Sequence, residues 1–307
     1  MTSRRTKPVP ASLYHSIFYL IFILLLLAAY PHPTNARIAG IIAFSVEHEG
    51  GLQILDPATG EFKALDVGML SIGDLAYNRN RQLLIFEGSK DHQIPKAIYT
   101  YDFKSRKIKR IYKPSSDEDE LYRSEVAPGG DHLFALNYDM GIFRYSFDNG
   151  KWEKAQVTGG TETNFQAISI SPSGKKVALS PWLFNGFLLG HLDGTQIRIE
   201  KYILADFDSC ASPRWVGDDV IVFLGRKKAG YQYLWKASLN TGKVEQLTHK
   251  PLGTRDFMDI SSDGKTIVFT ATDSLYDWRL WKIQIDGKGL EPLTKTGQGH
   301  LYPIWIE

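Results

Sequence analysis

A repeat of about 46 residues constrains this chain more than any other feature of its sequence. Polar turns that begin with Asp or Asn recur six times, and their first residues are 46, 46, 45, 47 and 46 positions apart. These turns begin at Asp56, Asp102, Asp148, Asp193, Asn240 and Asp286. A second series of polar turns lies between them, at 78–81, 128–131, 172–175, 217–219 and 262–265. Two turn series in register predict an array of equal structural units.

Each unit is predicted to contain four short strands, named a to d in chain order. The strands of the last complete unit are predicted at 257–261, 266–271, 280–285 and 290–294. Within its strand c, Trp281, Ile283 and Ile285 alternate with polar residues, which is typical of a half-buried strand. Four strands within roughly 40–45 residues form one blade of a β-propeller, and the turns after strand c predict six blades.

The two ends of the repeat region predict how the ring of blades closes. Residues 41–44 read as a strand b that lacks its strand a, and residues 302–306 read as a strand a that lacks its strand b. The last strand is therefore expected to pair with the first, which removes the open sheet edges of a linear array. We predict an all-β fold for residues 37–307, a six-bladed β-propeller with four-stranded antiparallel blades.

The first 36 residues differ from the repeats in composition. They contain three basic residues and no acidic ones, and residues 17–29 are uninterruptedly apolar. A cationic start followed by a short apolar stretch is typical of a secretory signal peptide. Residues 13–30, most of which are apolar, also approach the length of an uncleaved membrane anchor. Residues 1–36 are therefore predicted to be a signal peptide or an anchor that precedes the propeller.

Charge and cysteine content exclude two classes of protein. Without residues 1–36 the chain has 33 basic and 34 acidic residues. A nucleic-acid partner is not expected, since such proteins need a marked excess of basic residues on one face. Cys210 is the only cysteine, so the chain cannot form an internal disulfide and its fold must depend on a hydrophobic core.

The repeat resembles that of the TolB-type propellers of bacterial cell envelopes. In that family a repeat reads roughly Pro-x-Trp-Ser-Pro-Asp-Gly-Lys, an apolar strand, Leu-Trp, Asp-Gly-Gly and Leu-Thr. The matching residues here are 171–175, Pro213, Trp215, Leu234, Trp235, Leu247, Thr248, 262–265, Leu280, Trp281, Asp286, Gly287, Leu293, Thr294, Pro303 and Trp305. The resemblance covers about residues 38–307 and is strongest in the last three repeats.

The resemblance implies an envelope protein that binds other proteins. It also implies export, either to the periplasm or to the inner membrane with the propeller facing the periplasm. TolB itself carries an additional α/β domain before its propeller, and we expect none here because strands begin almost directly after the apolar segment. The repeated residues mark turns and core positions, so they predict the fold more specifically than the function.

Strand parity divides the loops between two faces of the propeller. The short a–b and c–d turns lie on one face, the turn face, and the longer b–c loops and interblade connections lie on the other, the irregular face. Variable loops on a rigid scaffold commonly carry binding sites. The candidate partner contacts in the b–c loops are Trp182, Phe184, Tyr231, Tyr233, Tyr276 and Trp278. The alternative is that these aromatic rings pack between blades.

The sequence also contains two charged clusters. An acidic cluster between blades two and three could hold a cation or a basic partner: Asp117, Glu118, Asp119 and Glu120. Acidic runs of this kind are usually solvated loops. Basic residues on the outer hairpin of blade two form the second cluster: Lys104, Arg106, Lys107, Lys109, Arg110 and Lys113. Lysines on an exposed edge strand commonly block pairing with another sheet.

The sequence contains no recognisable catalytic centre. Four histidines are predicted on loops of the irregular face and could hold a metal: His48, His92, His249 and His300. The chain has no closely spaced histidine pair, no nucleophile elbow and no phosphate-binding glycine motif.

We therefore expect no cofactor. The chain is interpreted as a non-enzymatic module that binds a protein or peptide across its irregular face or at the mouth of its central channel. The alternative interpretation is a propeller enzyme, a lyase or hydrolase, that acts on an extracellular sugar or peptide with a histidine-held metal.

Overall fold

A computed structural model confirms the six-bladed propeller. The structure describes residues 40–46, 51–91, 96–137, 141–160, 164–182, 185–228, 230–274, 277–294 and 299–306. Within these ranges, 25 strands form six sheets, five of four strands and one of five. The described part of the chain has one helical element, the 3-10 turn Asp117–Asp119. No helix in it is long and apolar enough to cross a membrane, and the apolar segment 17–29 lies outside it.

The first three blades follow the chain in order. Blade one contains β1 (Ile41–Val46), β2 (Leu52–Asp56), β3 (Glu61–Leu65) and the C-terminal β25 (His300–Ile306). Blade two contains β4 (Ser71–Asn78), β5 (Leu83–Ser89), β6 (Ala97–Asp102) and β7 (Ile108–Tyr112). Blade three contains β8 (Tyr122–Val126), β9 (His132–Asn137), β10 (Gly141–Ser146) and β11 (Trp152–Lys154).

The last three blades repeat the arrangement. Blade four contains β13 (Phe165–Ile170), β14 (Lys176–Pro181), β15 (Phe187–Asp193), β16 (Gln196–Ile203) and the additional β12 (Gln156–Thr158). Blade five contains β17 (Ser209–Val216), β18 (Val220–Arg226), β19 (Tyr233–Ser238) and β20 (Val244–Gln246). Blade six contains β21 (Gly253–Ile260), β22 (Thr266–Thr272), β23 (Arg279–Gln284) and β24 (Glu291–Pro292).

The ring closes as predicted, with the last strand beside the first. β25 pairs antiparallel with β1, in a register that places Ile306 opposite Ile41 and Trp305 opposite Ile42. The innermost strand of blade one thus comes from the C-terminus, and its other three strands come from the start of the propeller. Backbone hydrogen bonds between the two ends therefore hold the ring together.

Two strands of the outer rim differ from the prediction. Strand d of blade six comprises only Glu291 and Pro292, and beyond it the backbone N–H of Leu280 bonds to the Thr294 hydroxyl and not to the backbone of strand d. Blade four gains the fifth strand β12, which follows the outer strand of blade three after the buried Ala155 and pairs in parallel with β16. β12 has only three residues, and only Val157 is partly buried. A strand this short leaves no alternating pattern that the sequence could show.

The core lies between neighbouring blades, and strand b contributes most to it. A phenylalanine of strand b is completely buried in four blades: Phe44, Phe86, Phe223 and Phe269. The rings of Phe86, Phe223 and Phe269 pack with aliphatic side chains of the neighbouring sheets in clusters that span two or more blades. The Phe44 ring contacts the rings of Phe62 and His300 within blade one. Face-to-face packing of twisted sheets around an axis is what a propeller requires.

The repeated Leu-Trp and Leu-Thr pairs have visible structural roles. In blade five the Thr248 hydroxyl accepts a hydrogen bond from the backbone N–H of Leu234 at 3.0 Å. The Trp235 indole donates to the carbonyl oxygen of Gly225 at 3.0 Å. The equivalent bonds in blade six join Leu280 to Thr294 and Trp281 to Ala271. The motif therefore marks the attachment of strand d and of strand b to strand c.

Candidate functional site

A chamber of about 390 Å³ lies in the central channel, at the turn face. All six blades contribute to its wall, through the ends of their innermost strands and their a–b turns. Its wall includes residues 76–80, 125–128, 169–170, 214–217, 259–262 and 304–305. A concave site of this volume falls within the usual range of ligand pockets.

Three charged side chains define the inner end of the chamber. Arg214 Nε lies 3.6 Å from Asp259 Oδ1, and Asp259 Oδ2 accepts the backbone N–H of Trp305 at 2.9 Å. The Glu125 carboxylate accepts the backbone N–H of Ile170 at 3.3 Å. Desolvation deep in the channel raises the pKa of both carboxyls, and the positive charge of Arg214 opposes that rise. Both residues nevertheless line the chamber.

The fold explains why these side chains meet. Glu125, Arg214 and Asp259 each lie in strand a, opposite the third residue of strand b. In blade five this position is the variable residue of the Pro-x-Trp motif. The three come from blades three, five and six, so sequence separation hides their proximity. The sequence analysis did not identify these residues, and a comparison of the variable residues across the repeats is the one sequence signal that could have found them.

The channel is blocked on the irregular-face side of the chamber. Arg123 of blade three donates from Nη1 to the carbonyl oxygen of Asp256 in blade six at 2.9 Å. Its guanidinium carbon lies 4.7 Å from the centre of the Phe257 ring, which in turn lies 3.9 Å from the Tyr302 ring. Blades three and six are opposite each other in the ring, so these contacts cross the channel axis. Access to the chamber is therefore from the turn face.

A smaller cavity of about 30 Å³ lies between this crossing and the chamber. Its polar lining includes Asp74, Arg123, Ser124, Glu125 and Arg214. Arg123 Nε forms an ion pair with Asp74 Oδ2 at 3.3 Å. The cavity has the volume and the polar lining that a buried water molecule needs.

Glu87 adds a further buried carboxyl next to Arg123. It lies on β5, is 6% exposed, and accepts the backbone N–H of Arg123 at 3.1 Å. Burial, and to a smaller extent the neighbouring Asp74, raise the pKa of Glu87 well above its usual value. Burial also raises the pKa of Asp256. The acidic side chains around Arg123 are therefore held in a poorly solvated environment.

Of the aromatic residues predicted to contact a partner on the irregular face, two are exposed and two are half-buried. Trp182 and Tyr231 are each 55% exposed. Tyr233 and Trp278 are half-buried, and the guanidinium carbon of Arg255 lies 4.6 Å from the Trp278 ring centre. Phe184 and Tyr276 lie outside the described residues. A partner-binding role for this aromatic group stays a prediction.

The predicted acidic cluster forms a short, well-bonded turn. The Asn137 side-chain amide donates to the carbonyl oxygens of Glu118 and Glu120, at 2.7 and 2.9 Å. The Glu120 carboxylate accepts the backbone N–H of Lys96 at 2.9 Å. Asp117 and Glu118 are exposed, whereas Asp119 and Glu120 are half-buried. The turn is thus fixed by its own contacts, and its binding role remains a prediction.

Two of the four candidate metal-binding histidines are described by the structure. His249 is exposed. His300 is 3% exposed, and its Nδ1 lies 3.1 Å from Thr294 Oγ1. Burial lowers the pKa of His300 to about 4. His48 and His92 lie outside the described residues, and those residues include no group of three or more His, Cys, Asp or Glu side chains arranged to hold a metal.

No protein-family model matches the sequence, and no curated protein sequence matches it. Solved structures do share its fold. TolB from Acinetobacter baumannii has a TM-score of 0.70 at 18% identity, over 97% of this chain and 74% of that chain. A candidate TolB from Agrobacterium tumefaciens has a TM-score of 0.61 at 14% identity, over 87% of this chain and 98% of that one.

An enzyme-like neighbour is also found. A candidate 6-phosphogluconolactonase from Bacteroides uniformis has a TM-score of 0.54 at 15% identity, over 89% of this chain and 87% of that one. At these identities the likenesses establish the fold. The chain is a six-bladed β-propeller with four-stranded antiparallel blades. Its arrangement of blades is TolB-like.

Proposed function

We propose that this propeller is a non-enzymatic binding module that receives a protein or peptide segment in the chamber at its turn face. The observation that carries the proposal is the chamber itself, about 390 Å³ in volume and walled by all six blades. Because Arg123 and Phe257 block the channel beyond it, a ligand would enter and leave from the same side. The resemblance of its repeats to those of TolB-type propellers implies a protein partner, and the TolB-like arrangement of blades supports that resemblance.

The chemistry of the chamber fits a peptide better than an apolar small molecule. Carboxylate and guanidinium groups lie at its inner end, from Glu125, Asp259 and Arg214. Its mouth is formed by a–b turns that include the exposed Pro128 and Ser262. Charged groups at the inner end and polar groups of this kind at the mouth can bond to the amides and polar side chains of an inserted segment.

The proposal includes export to the cell envelope. The cationic and apolar pattern of residues 1–36 supports it, as does the similarity in fold to TolB. Sequencing the N-terminus of the mature protein, together with membrane fractionation, would distinguish a cleaved signal peptide from a retained anchor. An uncleaved protein in the soluble fraction of the cytoplasm would contradict export.

Site-specific photo-crosslinking in the full-length protein tests the chamber. A photoreactive phenylalanine analogue replaces Ser262 at the mouth of the chamber, and a control places it at Thr241, in a c–d turn of the same face. We expect a crosslinked envelope protein or peptide from position 262 and none from position 241. The crosslink should weaken when Arg214→Ala is added. Equal crosslinking from both positions would contradict the proposal.

An enzyme in the same chamber is the second candidate function. Burial raises the pKa of Glu125 and Asp259, and carboxyls with perturbed pKa values in a cleft are candidates for acid–base catalysis. The lactonase-like neighbour gives the reaction class to test first. Turnover of lactones, oligosaccharides or peptides that Glu125→Gln abolishes would favour an enzyme. Binding that persists in Glu125→Gln, without turnover in the wild type, would favour the binding module.

A further inference from the structure

The outer hairpin of blade two concentrates positive charge at the rim of the propeller. Six basic residues lie within residues 104–113, and all six are exposed: Lys104, Arg106, Lys107, Lys109, Arg110 and Lys113. No acidic residue occurs among residues 104–113. None of the six forms an ion pair with another described residue. We call residues 102–113 the cationic hairpin.

In the next four blades, basic residues at the outer strands are paired with acidic residues. In each of them a basic residue pairs with an acidic residue of the same blade, at 2.9 to 3.1 Å: Arg144–Glu153, Arg198–Glu200, Lys236–Glu245 and Lys282–Glu291. The cationic hairpin has one acidic residue, Asp102. Its carboxylate accepts the backbone N–H groups of Lys104 and Ser105, at 2.8 and 3.1 Å, and these bonds lower the pKa of Asp102. The excess of positive charge is therefore specific to blade two.

Arg106 occupies a turn position that other blades give to glycine. Its φ is 57°, and its N–H donates to the carbonyl oxygen of Asp102 at 2.7 Å. The residues that make the same bond in blades one, three and five are glycines with φ of 70–74°: Gly60, Gly150 and Gly242. The left-handed conformation is unfavourable for a residue with a Cβ. Glycine would serve the turn better, so folding does not account for an arginine here.

Protection of the sheet edge explains only part of the pattern. Lysines on β7 would discourage another strand from pairing with it, but Lys104 and Arg106 lie in the turn before that strand. Ile108 opens β7, lies between two lysines, and is 40% exposed. An exposed aliphatic side chain among cations is typical of a surface that enters the headgroup region of a bilayer.

We propose that the cationic hairpin binds the surface of a bilayer that contains anionic lipids. The exposed cations supply attraction to the lipid phosphates, and the exposed Ile108 supplies an apolar contact at headgroup depth. The hairpin lies at the convex outer rim of the propeller, where a flat surface can reach several cations at once. The apolar residues 17–29 of the same chain predict that it is brought to a membrane, as a signal peptide or as an anchor.

A fluorescent label in the full-length protein tests the proposal at the hairpin itself. Cys210 is buried, and burial raises the pKa of its thiol to about 12, so an introduced cysteine is labelled selectively. Ser105→Cys carries an environment-sensitive fluorophore, and Thr241→Cys carries it at the equivalent turn of blade five. Both proteins are mixed with vesicles of phosphatidylcholine alone or with 30% phosphatidylglycerol.

We expect a blue shift and a rise in emission at position 105 with phosphatidylglycerol vesicles only. Position 241 should not respond, and 0.5 M NaCl should reverse the response at 105 because salt screens surface charge. The triple change Lys107→Ser, Lys109→Ser and Arg110→Ser should weaken the apparent affinity on the order of a hundredfold, from the attraction of each cation to anionic lipid. A matched control removes three exposed lysines from blades one and three: Lys63, Lys151 and Lys154.

Three outcomes would overturn the proposal. The first is an equal response to both kinds of vesicle, which would assign any contact to apolar interactions. The second is equal weakening by the control variant, which would show that net charge and not the hairpin decides binding. The third is a response at position 105 to soluble double-stranded DNA, at matched phosphate concentration, with none to vesicles.

Discussion

Arg123 of blade three and Phe257 of blade six meet across the axis of the propeller, with the guanidinium carbon 4.7 Å from the centre of the ring. This contact joins opposite blades and separates the chamber of the turn face from the irregular face. Three further bonds hold Arg123 in place. Its guanidinium pairs with Asp74 and donates to the carbonyl oxygen of Asp256, and its backbone N–H donates to Glu87. The crossing is therefore both a plug of the channel and a structural link between opposite sheets.

Replacement of Arg123 by methionine is expected to lower the free energy of unfolding by about 2 to 3 kcal/mol. Loss of one partner of a fully buried ion pair costs roughly 3–5 kcal/mol, and the value here is smaller because 26% of the Arg123 side chain remains accessible. The control is Arg198→Met, which removes an exposed pair with Glu200 and should cost less than about 1 kcal/mol. Urea unfolding followed by tryptophan fluorescence measures both. Equal losses would mean that the crossing adds no stability.

The buried Glu87 should make stability fall as pH rises. Its folded-state pKa lies well above the unfolded value near 4.5, so the folded protein holds the proton more tightly. The stabilising contribution is complete below pH 4.5 and is lost as pH rises through the folded-state pKa. Glu87→Gln should thus gain stability relative to the wild type between pH 5 and pH 8, as urea unfolding would show. Glu153→Gln, on the exposed rim, is the control. A Glu87→Gln effect of constant size at both pH values would refute this assignment.

Ring closure predicts unequal effects for two isoleucines that face each other. Ile306 and Ile41 are paired across β25 and β1, but Ile306 is 5% exposed and Ile41 is 42% exposed. Ile306→Ala should lower the free energy of unfolding by about 2–4 kcal/mol, because it leaves a cavity in the core. Ile41→Ala should cost less than about 1 kcal/mol. Denaturant unfolding of the two variants measures both changes. Similar losses of unfolding free energy would argue against the observed register.

Arg106→Gly is expected to stabilise the protein by roughly 0.5–1 kcal/mol, since glycine adopts the left-handed turn without a Cβ penalty. The reverse change in blade one, Gly60→Ala, should destabilise by a similar amount. A Cβ at Gly60 would meet no atom within 4 Å, so only the backbone conformation is tested. Thermal unfolding of both variants measures the pair. Destabilisation by Arg106→Gly would show that the arginine side chain contributes to folding.

The sequence predicted the blades well because each one is a local pattern. The six c–d turns, the strands between them and the pairing of residues 302–306 with 41–44 all follow from spacing and alternation. β12 was not predicted, since a three-residue strand in an interblade connection leaves no periodic signal. The two-residue strand Glu291–Pro292 shows the same limit at the rim.

The candidate site was harder to predict than the fold. The length of the loops predicted a binding site on the irregular face. Trp182 and Tyr231 are exposed there, and their binding role stays a prediction. The mouth of the channel was also expected to bind, but without residues to support it. Glu125, Arg214 and Asp259 come together only through the closure of the ring, so their proximity depends on contacts between blades that no local pattern reports.

The additional strand β12 has a consequence for the solubility of the protein. β16 has eight residues and is the longest strand d of the propeller as described, so with an open edge it would be the best template for aggregation through edge-to-edge pairing. β12 covers Gln196, Ile197 and Arg198 of that strand, so less than its full length remains open. The outer strands of blades five and six have only three and two residues. A variant that lacks β12 should therefore self-associate more readily, even where its fold is retained.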